Sequence, residues 1–320
     1  GSYYQHFPSS RFSLLAAGRT FPQSLDALLG KWWIYVFKDL RADQPAYGDG
    51  AVWGQWRDLP SIQSLTDAHA EQAFFRDYPI RHLEVRVRSS HRWVQLHRFL
   101  GVADGGSILG SIDWQLVHDP TKRKPMLLDF SSNAPWAAVV AASGVNELAN
   151  YEVTGNPDVK AEGVVWLPPK ENKELPALPY LQVYLGAFGE TFQSGPLIFH
   201  DLSLRGRVGP QDINFNSVYG QFADGIVTGS LSIINWPDRA QRYRQLNLEA
   251  FDTDYRAAVM QLTELMEDPG SLRSALIQDT TSGRADAVIN LRLHDLISLC
   301  TGLGTVNVRQ ADIGKVHILG

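Results

Sequence analysis

The residue pairs in this chain that look most like chemistry are three His-Asp dipeptides, His118-Asp119, His200-Asp201 and His294-Asp295. A histidine held by a carboxylate is a general-base arrangement. Here the two are chain neighbours at the ends of strand-like runs, and neighbours in a strand point to opposite faces. Such a pair cannot share a proton, and it reads as strand-end polarity. His91 and His97 would share one face of one strand, but six residues at about 3.3 Å each set them roughly 20 Å apart. Zinc holds each ligand within about 2 Å, so the two cannot bind one ion on a straight strand.

Other catalytic patterns fail in the same way. HExxH, CxxC and Gly-x-Ser-x-Gly do not occur, and Cys300 is the one cysteine, without a partner for a disulfide or a thiolate metal site. Gly302-Leu303-Gly304 lacks the third glycine of a dinucleotide loop and reads as a turn. Asp252 and Asp254 are explained by helix capping. The expectation is a protein that is not an enzyme, with no metal site and no cofactor. A glycan hydrolase of the cell envelope would need two carboxylates about 5–10 Å apart in a cleft.

Five arginines cluster at Arg81, Arg86, Arg88, Arg92 and Arg98. They could meet anionic head groups, with Arg86 and Arg88 the candidates, or they could simply solvate a strand face. The chain as a whole carries a net charge of −5 over 320 residues with no long basic block, which argues against a nucleic-acid partner.

The elements that must position these groups are mostly strands. In His82–Arg88, Leu83, Val85 and Val87 alternate with Glu84, Arg86 and Arg88, the period of a half-buried antiparallel strand. One hairpin is written twice, as VQLHRFLGVADGGSILGSIDWQL from Val94 and INFNSVYGQFADGIVTGSLSIINW from Ile213. Aligned on Ala103-Asp104-Gly105 and Ala223-Asp224-Gly225, the copies need a one-residue gap before Gly110-Ser111 and Gly229-Ser230. A hairpin recurring at long spacing suggests a repetitive β-structure and not one compact catalytic core. The predicted fold is mainly β with a few helices (α+β): an extended, curved antiparallel sheet or β-groove built from repeated hairpins.

Residues 1–50 form the predicted N-terminal helical segment, its helix capped by Ser24 with a stripe from Leu25 to Leu40 and Trp32 packed inward. Residues 3–20 give little signal. A first β-region covers 51–165, with 66–77 read as strand, and a Pro-rich stretch at 166–179 marks a boundary. The second β-region covers 180–320, with strands at 181–188, 197–208, 211–219, 226–236, 285–293 and 304–319. A helix near 253–267 is capped by Asp252 or Thr253, with a stripe of Tyr255, Val259, Leu262 and Met266, and Ser271 is a candidate start for a short companion. Gly1-Ser2 looks like an expression scar on a piece of something longer, and the apolar run Trp136–Val145 is too short to span a membrane.

FHDLSLRGRV (199–208), Gly229-Ser230-Leu231-Ser232-Ile233, LNLEAFDTDYRAAVMQL (246–262) and GLGTVNVRQADIGKVHIL (302–319) resemble the C-terminal region of AsmA-like proteins. The resemblance covers 180–320 best. It implies a Gram-negative envelope protein, related to the TamB-like proteins, exposed to the periplasm and held in the inner membrane by an N-terminal anchor that this chain lacks. It further implies a long curled β-sheet with an apolar inner groove, and a part in phospholipid transport or outer-membrane biogenesis.

On that reading Leu83, Val85, Val87, Leu202, Leu204, Ile213, Phe215, Leu231 and Ile233 line a groove that shields acyl chains of a phospholipid or other acyl lipid. Exposing one chain of about 16 carbons costs on the order of 10 kcal/mol, which a continuous apolar wall offsets. The same stripes could instead be ordinary sandwich core, in which case the chain is a β-rich scaffold for a protein partner in the envelope.

Overall fold

A computed structural model describes residues 1–21, 24, 40–115, 124–143, 149–167, 180–235, 238, 240–264, 282–294 and 301–312. The fold is mainly β, an open sheet in which strand follows strand as hairpins, and each registered pairing is antiparallel. The chain divides into two compact units, Gly1–Asn146 with Asp158–Val183, and Glu147–Pro157 with Tyr184–Gly320.

The first unit holds β1 (Ser2–His6), β2 (Arg11–Thr20), β3 (Leu40–Ala42), β4 (Ala46–Gln55), β5 (Asp58–Phe75), β6 (Tyr78–Ser90), β7 (Trp93–Ala103), β8 (Gly106–Gln115), β9 (Lys124–Ser132) and helix α1 (Trp136–Ser143). After β10 (Glu152–Thr154), which belongs to the second unit, β11 (Asp158–Leu167) returns to pair with β9. Strand β12 (Tyr180–Ser194) starts in the first unit and continues into the second. There follow β13 (Leu197–Val208), β14 (Asp212–Phe222), β15 (Gly225–Ile234), β16 (Tyr243–Asp254), helix α2 (Tyr255–Thr263), β17 (Ser282–His294) and β18 (Thr301–Asp312).

The repeat is larger than a hairpin and needs no gap. Strands β6, β7, β8, β9 and helix α1 begin at 78, 93, 106, 124 and 136, and β13, β14, β15, β16 and α2 begin at 197, 212, 225, 243 and 255. Each second start lies the same distance down the chain (225 − 106 = 119). The gap in the sequence alignment comes from the turns. The first copy turns at Asp104-Gly105, with Gly105 at φ 93°, and the second at Ala223-Asp224, at φ 48° and 57°. Both are two-residue turns between antiparallel strands, so Ala103 is equivalent to Phe222 and not to Ala223.

Buried side chains gather at the turn-and-helix end of each unit. In the first, Ala70, Ala73, Ile80 and Leu83 form a core with Leu40, Phe75, Val85 and Phe99 around it. In the second, Phe222, Ala223 and Val227 pack with Leu197, Phe199, Leu248, Ala250, Ala257 and Ala258. Helix α2 starts at Tyr255, two residues beyond the expected start, and is capped by Asp254, whose Oδ1 accepts from the Ala257 amide at 2.7 Å. It seats through Ala257 and Ala258, small enough for close approach, while Leu262 of the expected stripe is exposed.

Other expectations are revised. Residues 2–6 and 11–20 are strands, although both faces of β2 are largely exposed and so show no alternation. Gly302-Leu303-Gly304 lies inside β18 and is no turn. The 66–77 stretch is strand to Phe75 and turns at Arg76-Asp77, both at positive φ. The predicted helix over 25–39 with Trp32, the Pro-rich stretch from residue 168, Met266 and the helix start at Ser271 lie outside the described residues.

Candidate functional site

One face of the sheet of the second unit carries successive apolar rows, and the other mixes polar side chains with exposed Ile226, Val288 and Phe251. Phe215 of β14 lies opposite Leu231 of β15, Leu231 opposite Leu246, and Leu246 opposite Leu291. Paired residues share a face, so these four make one row across four strands. Ile213, Ile233 and Leu293 form the next row outward; Leu204, Val218, Leu248 and Ile289 form the next one inward. Leu202 packs beside Gly220 on the same face. The opposite face of the same strands presents Asn214, Ser232, Gln245 and Arg292.

Helix α2 covers this apolar face only at its inner end. It packs on Phe222 and Val227, and its Gln261 Oε1 accepts from the Ile198 amide at 2.9 Å. The predicted wall residues Leu202, Leu204, Ile213, Phe215, Leu231 and Ile233 are therefore brought together on one face, half-buried among themselves. β-Bulges between Phe215 and Val218, in β13, and between Ala250 and Thr253 bend the strands that carry them.

The first unit repeats the pattern. Val87, Leu96, Ile112 and Leu128 form a row, as do Val85, Phe99, Gly110 and Phe130. Leu83 is only 4% exposed and belongs to the core, Val85 packs at its margin, and Val87 lies beyond it. Helix α1 closes the core end, with Ala134 and Ala138 buried. At the other end Trp114 joins Val94 and Met126 on the apolar face, its buried Nε1–H without a partner among the described residues.

Arg86 and Arg88 stand on the opposite face from Leu83, Val85 and Val87. The Arg86 Nε donates to Asp67, which raises the affinity of the guanidinium for its proton, and Arg88 lies over the Trp93 ring at 5.3 Å. A cation on the apolar face is Arg244, in the Ile213 and Ile233 row at the end remote from α2. The alternation Arg244, Leu246, Leu248, Ala250 is the sequence signal for that placement.

None of the suspected catalytic pairs forms among the described residues. Asp201 accepts from Gln221 Nε2 at 3.0 Å, while His200 Nδ1 lies 3.2 Å from Thr191 Oγ1. His294 stacks on Tyr243; Asp295, His118, Asp119 and Cys300 lie outside the described residues. His91 sits in the turn after β6, and His97 in the bulge of β7. Asp252 pairs with Arg284 at 3.0 Å, which lowers its pKa, and does not cap the helix. Among the described residues no group of three His, Cys, Asp or Glu could hold a metal ion. No helix among them is long and apolar enough to cross a membrane.

A polar cluster lies on the face of β5 and β6 opposite Ala70 and Leu83. His82 Nδ1 lies 2.7 Å from Glu71 and its Nε2 lies 3.0 Å from Glu84, which also pairs with Arg98. A neutral imidazole can donate from only one nitrogen, so this double bridge requires the imidazolium. The hydrogen bond to Glu84, then that to Glu71, raises the His82 pKa.

Comparison with protein-family models, curated proteins and solved structures gives no significant match.

Proposed function

We propose that this chain is a non-catalytic, periplasmic segment of an AsmA-like envelope protein that shields lipid acyl chains on an apolar β wall. Its setting is phospholipid transport between membranes or outer-membrane biogenesis, with the whole protein held in the inner membrane by an anchor. The observation that carries the reading is the apolar face of the second unit, which α2 covers at one end only. Rows such as Phe215, Leu231, Leu246 and Leu291 offer a run of aliphatic contact about 14 Å across, from three strand spacings of about 4.8 Å. Arg244 at the end remote from α2 suits a phosphate, and the indole N–H of Trp114 in the first unit, without a partner among the described residues, suits an ester carbonyl.

The test is mass spectrometry of lipid extracted from detergent-free protein made in bacteria, for the natural sequence and for Phe215→Asp with Ile233→Asp. Stoichiometric phospholipid that disappears in a folded double variant supports the reading. A double variant that unfolds makes the stripe a core, and a lipid-free natural chain removes the basis for lipid shielding.

A second reading, a β-rich scaffold for a protein partner of the envelope, is favoured by β18. It pairs with β17 on one side only among the described residues, and Leu303 and Val306 on it are 80% and 61% exposed. Such an edge can accept a strand from another chain.

A further inference from the structure

The two ends of the first unit differ in chemistry. Three turns lie at one end, remote from α1: 7–10 after β1, 56–57 after β4 and 91–92 after β6. The strand registers put them on the same end, since Arg11 pairs with Gln55, Gln55 with Asp58, and Ser90 with Gln63, further along β5. The Trp56 amide donates to the Ser10 carbonyl at 2.8 Å, joining the first two turns.

Each of these turns sets an aromatic ring beside an arginine. Phe7 is 79% exposed, with Arg11 at the start of the next strand. Trp56, 48% exposed and stacked on Phe12 at 4.3 Å, is followed by Arg57. Arg92 precedes Trp93, over whose ring Arg88 lies. Arg11, Arg57 and Arg92 form no ion pair among the described residues, and Asp58 is the one acidic residue in or directly beside these turns.

The opposite end has the same charged residue types but neutralises them. Its turns are Arg76-Asp77 and Asp104-Gly105, and Arg81 pairs with Asp104 and Arg41 with Asp43. Helix α1 packs at that end, and among the described residues no helix lies on the apolar wall toward the aromatic and basic end.

We infer that the end of the first unit bearing Phe7, Trp56, Arg57 and Arg92 docks on the surface of an anionic lipid bilayer. Exposed rings flanked by arginines suit the layer where a bilayer meets water: the rings enter the head-group region and the guanidinium groups meet phosphate. A chain with a net charge of −5 is repelled by such a surface as a whole, so a locally basic end fixes which part approaches it. The inference does not depend on the wall carrying lipid, although an acyl chain leaving the bilayer at this end would meet the apolar wall.

Flotation of the full chain with vesicles tests it, using phosphatidylcholine and phosphatidylglycerol in equal parts against phosphatidylcholine alone. The expected result is binding to the anionic vesicles, weakened by salt, and reduced about fivefold by each of Arg57→Ser and Arg92→Ser. Phe7→Ser, at a position too exposed to affect folding, also weakens it. Arg81→Ser removes the same charge from the opposite end and leaves binding unchanged. Three results overturn the inference: no preference for anionic vesicles, equal loss from Arg81→Ser, or equally tight, Arg57-dependent binding of single-stranded RNA. Loss of vesicle binding in Arg57→Ser with co-purifying lipid retained separates this inference from the lipid-shielding reading.

Discussion

Gly110 and Gly229 occupy the same place in the two copies of the repeat, each directly opposite the residue at which a β-bulge ends. Gly110 pairs with Phe99 after the bulge that begins at Leu96, and Gly229 pairs with Val218 after the bulge that begins at Phe215. A Cβ on Gly110 would lie 2.2 Å from the Phe130 ring, and one on Gly229 would lie 2.1 Å from the Asn247 carbonyl. The bend brings the next strand so close that only hydrogen fits, which is why Gly-Ser recurs in the exit strand.

Alanine at either glycine should therefore destabilise by about 1–3 kcal/mol, with the larger effect at Gly229, where the obstacle is backbone. Gly18→Ala and Gly186→Ala, where nothing lies within 4 Å of the added carbon, should change stability by less than about 0.5 kcal/mol. Urea denaturation of the four variants checks the contrast. Equal effects at all four would remove the steric account.

Charging the wall should separate wall from core. Leu231→Asp, in a half-buried row, should leave a folded protein by circular dichroism. Leu83→Asp, buried at 4% exposure, should cost several kcal/mol or abolish folding. If the two variants unfold alike, the face of the second unit is closed core.

Stability should depend on pH through His82. Its folded pKa lies above the ordinary 6.5, so its contribution is complete below about 6.5 and is lost as pH rises through the raised value. Glu84, lowered from 4.5 by His82, contributes above about 4.5 and loses that contribution as pH falls through its folded value. The bridge is thus fully formed between the two. In a pH series of urea midpoints, His82→Asn should abolish the decline above about pH 6.5. A decline of the same size in the variant would place its origin elsewhere.

Removing the cap of α2 should loosen the helix that packs on the inner end of the wall. Asp254→Ala should cost about 1 kcal/mol and Asp254→Asn much less, because the amide oxygen can still accept from Ala257. Hydrogen exchange localised to Tyr255–Thr263 reads the effect. Protection unchanged in Asp254→Ala would show that packing through Ala257 and Ala258 holds the helix without the cap.

Alternation made most strands legible. Leu83, Val85 and Val87 against Glu84, Arg86 and Arg88 announce a two-faced strand, and the repeated hairpin is visible as letters. The first twenty residues hid because β2 is exposed on both faces and has no alternation to show. The turn misled the alignment, since Ala-Asp-Gly can turn at its last two residues or at its first two, and either leaves the strand register intact.

The sequence by itself determined the local grammar: which runs are strands, which face of each is apolar, and where the repeat recurs. Only the tertiary structure decided that Leu83 is buried in a core while Leu231 is half-buried, although both sit in similar alternating patterns. The physical reason is that burial depends on what lands on a face. Here that is set by where Ala138 and Ala257 allow two short helices to touch the sheet.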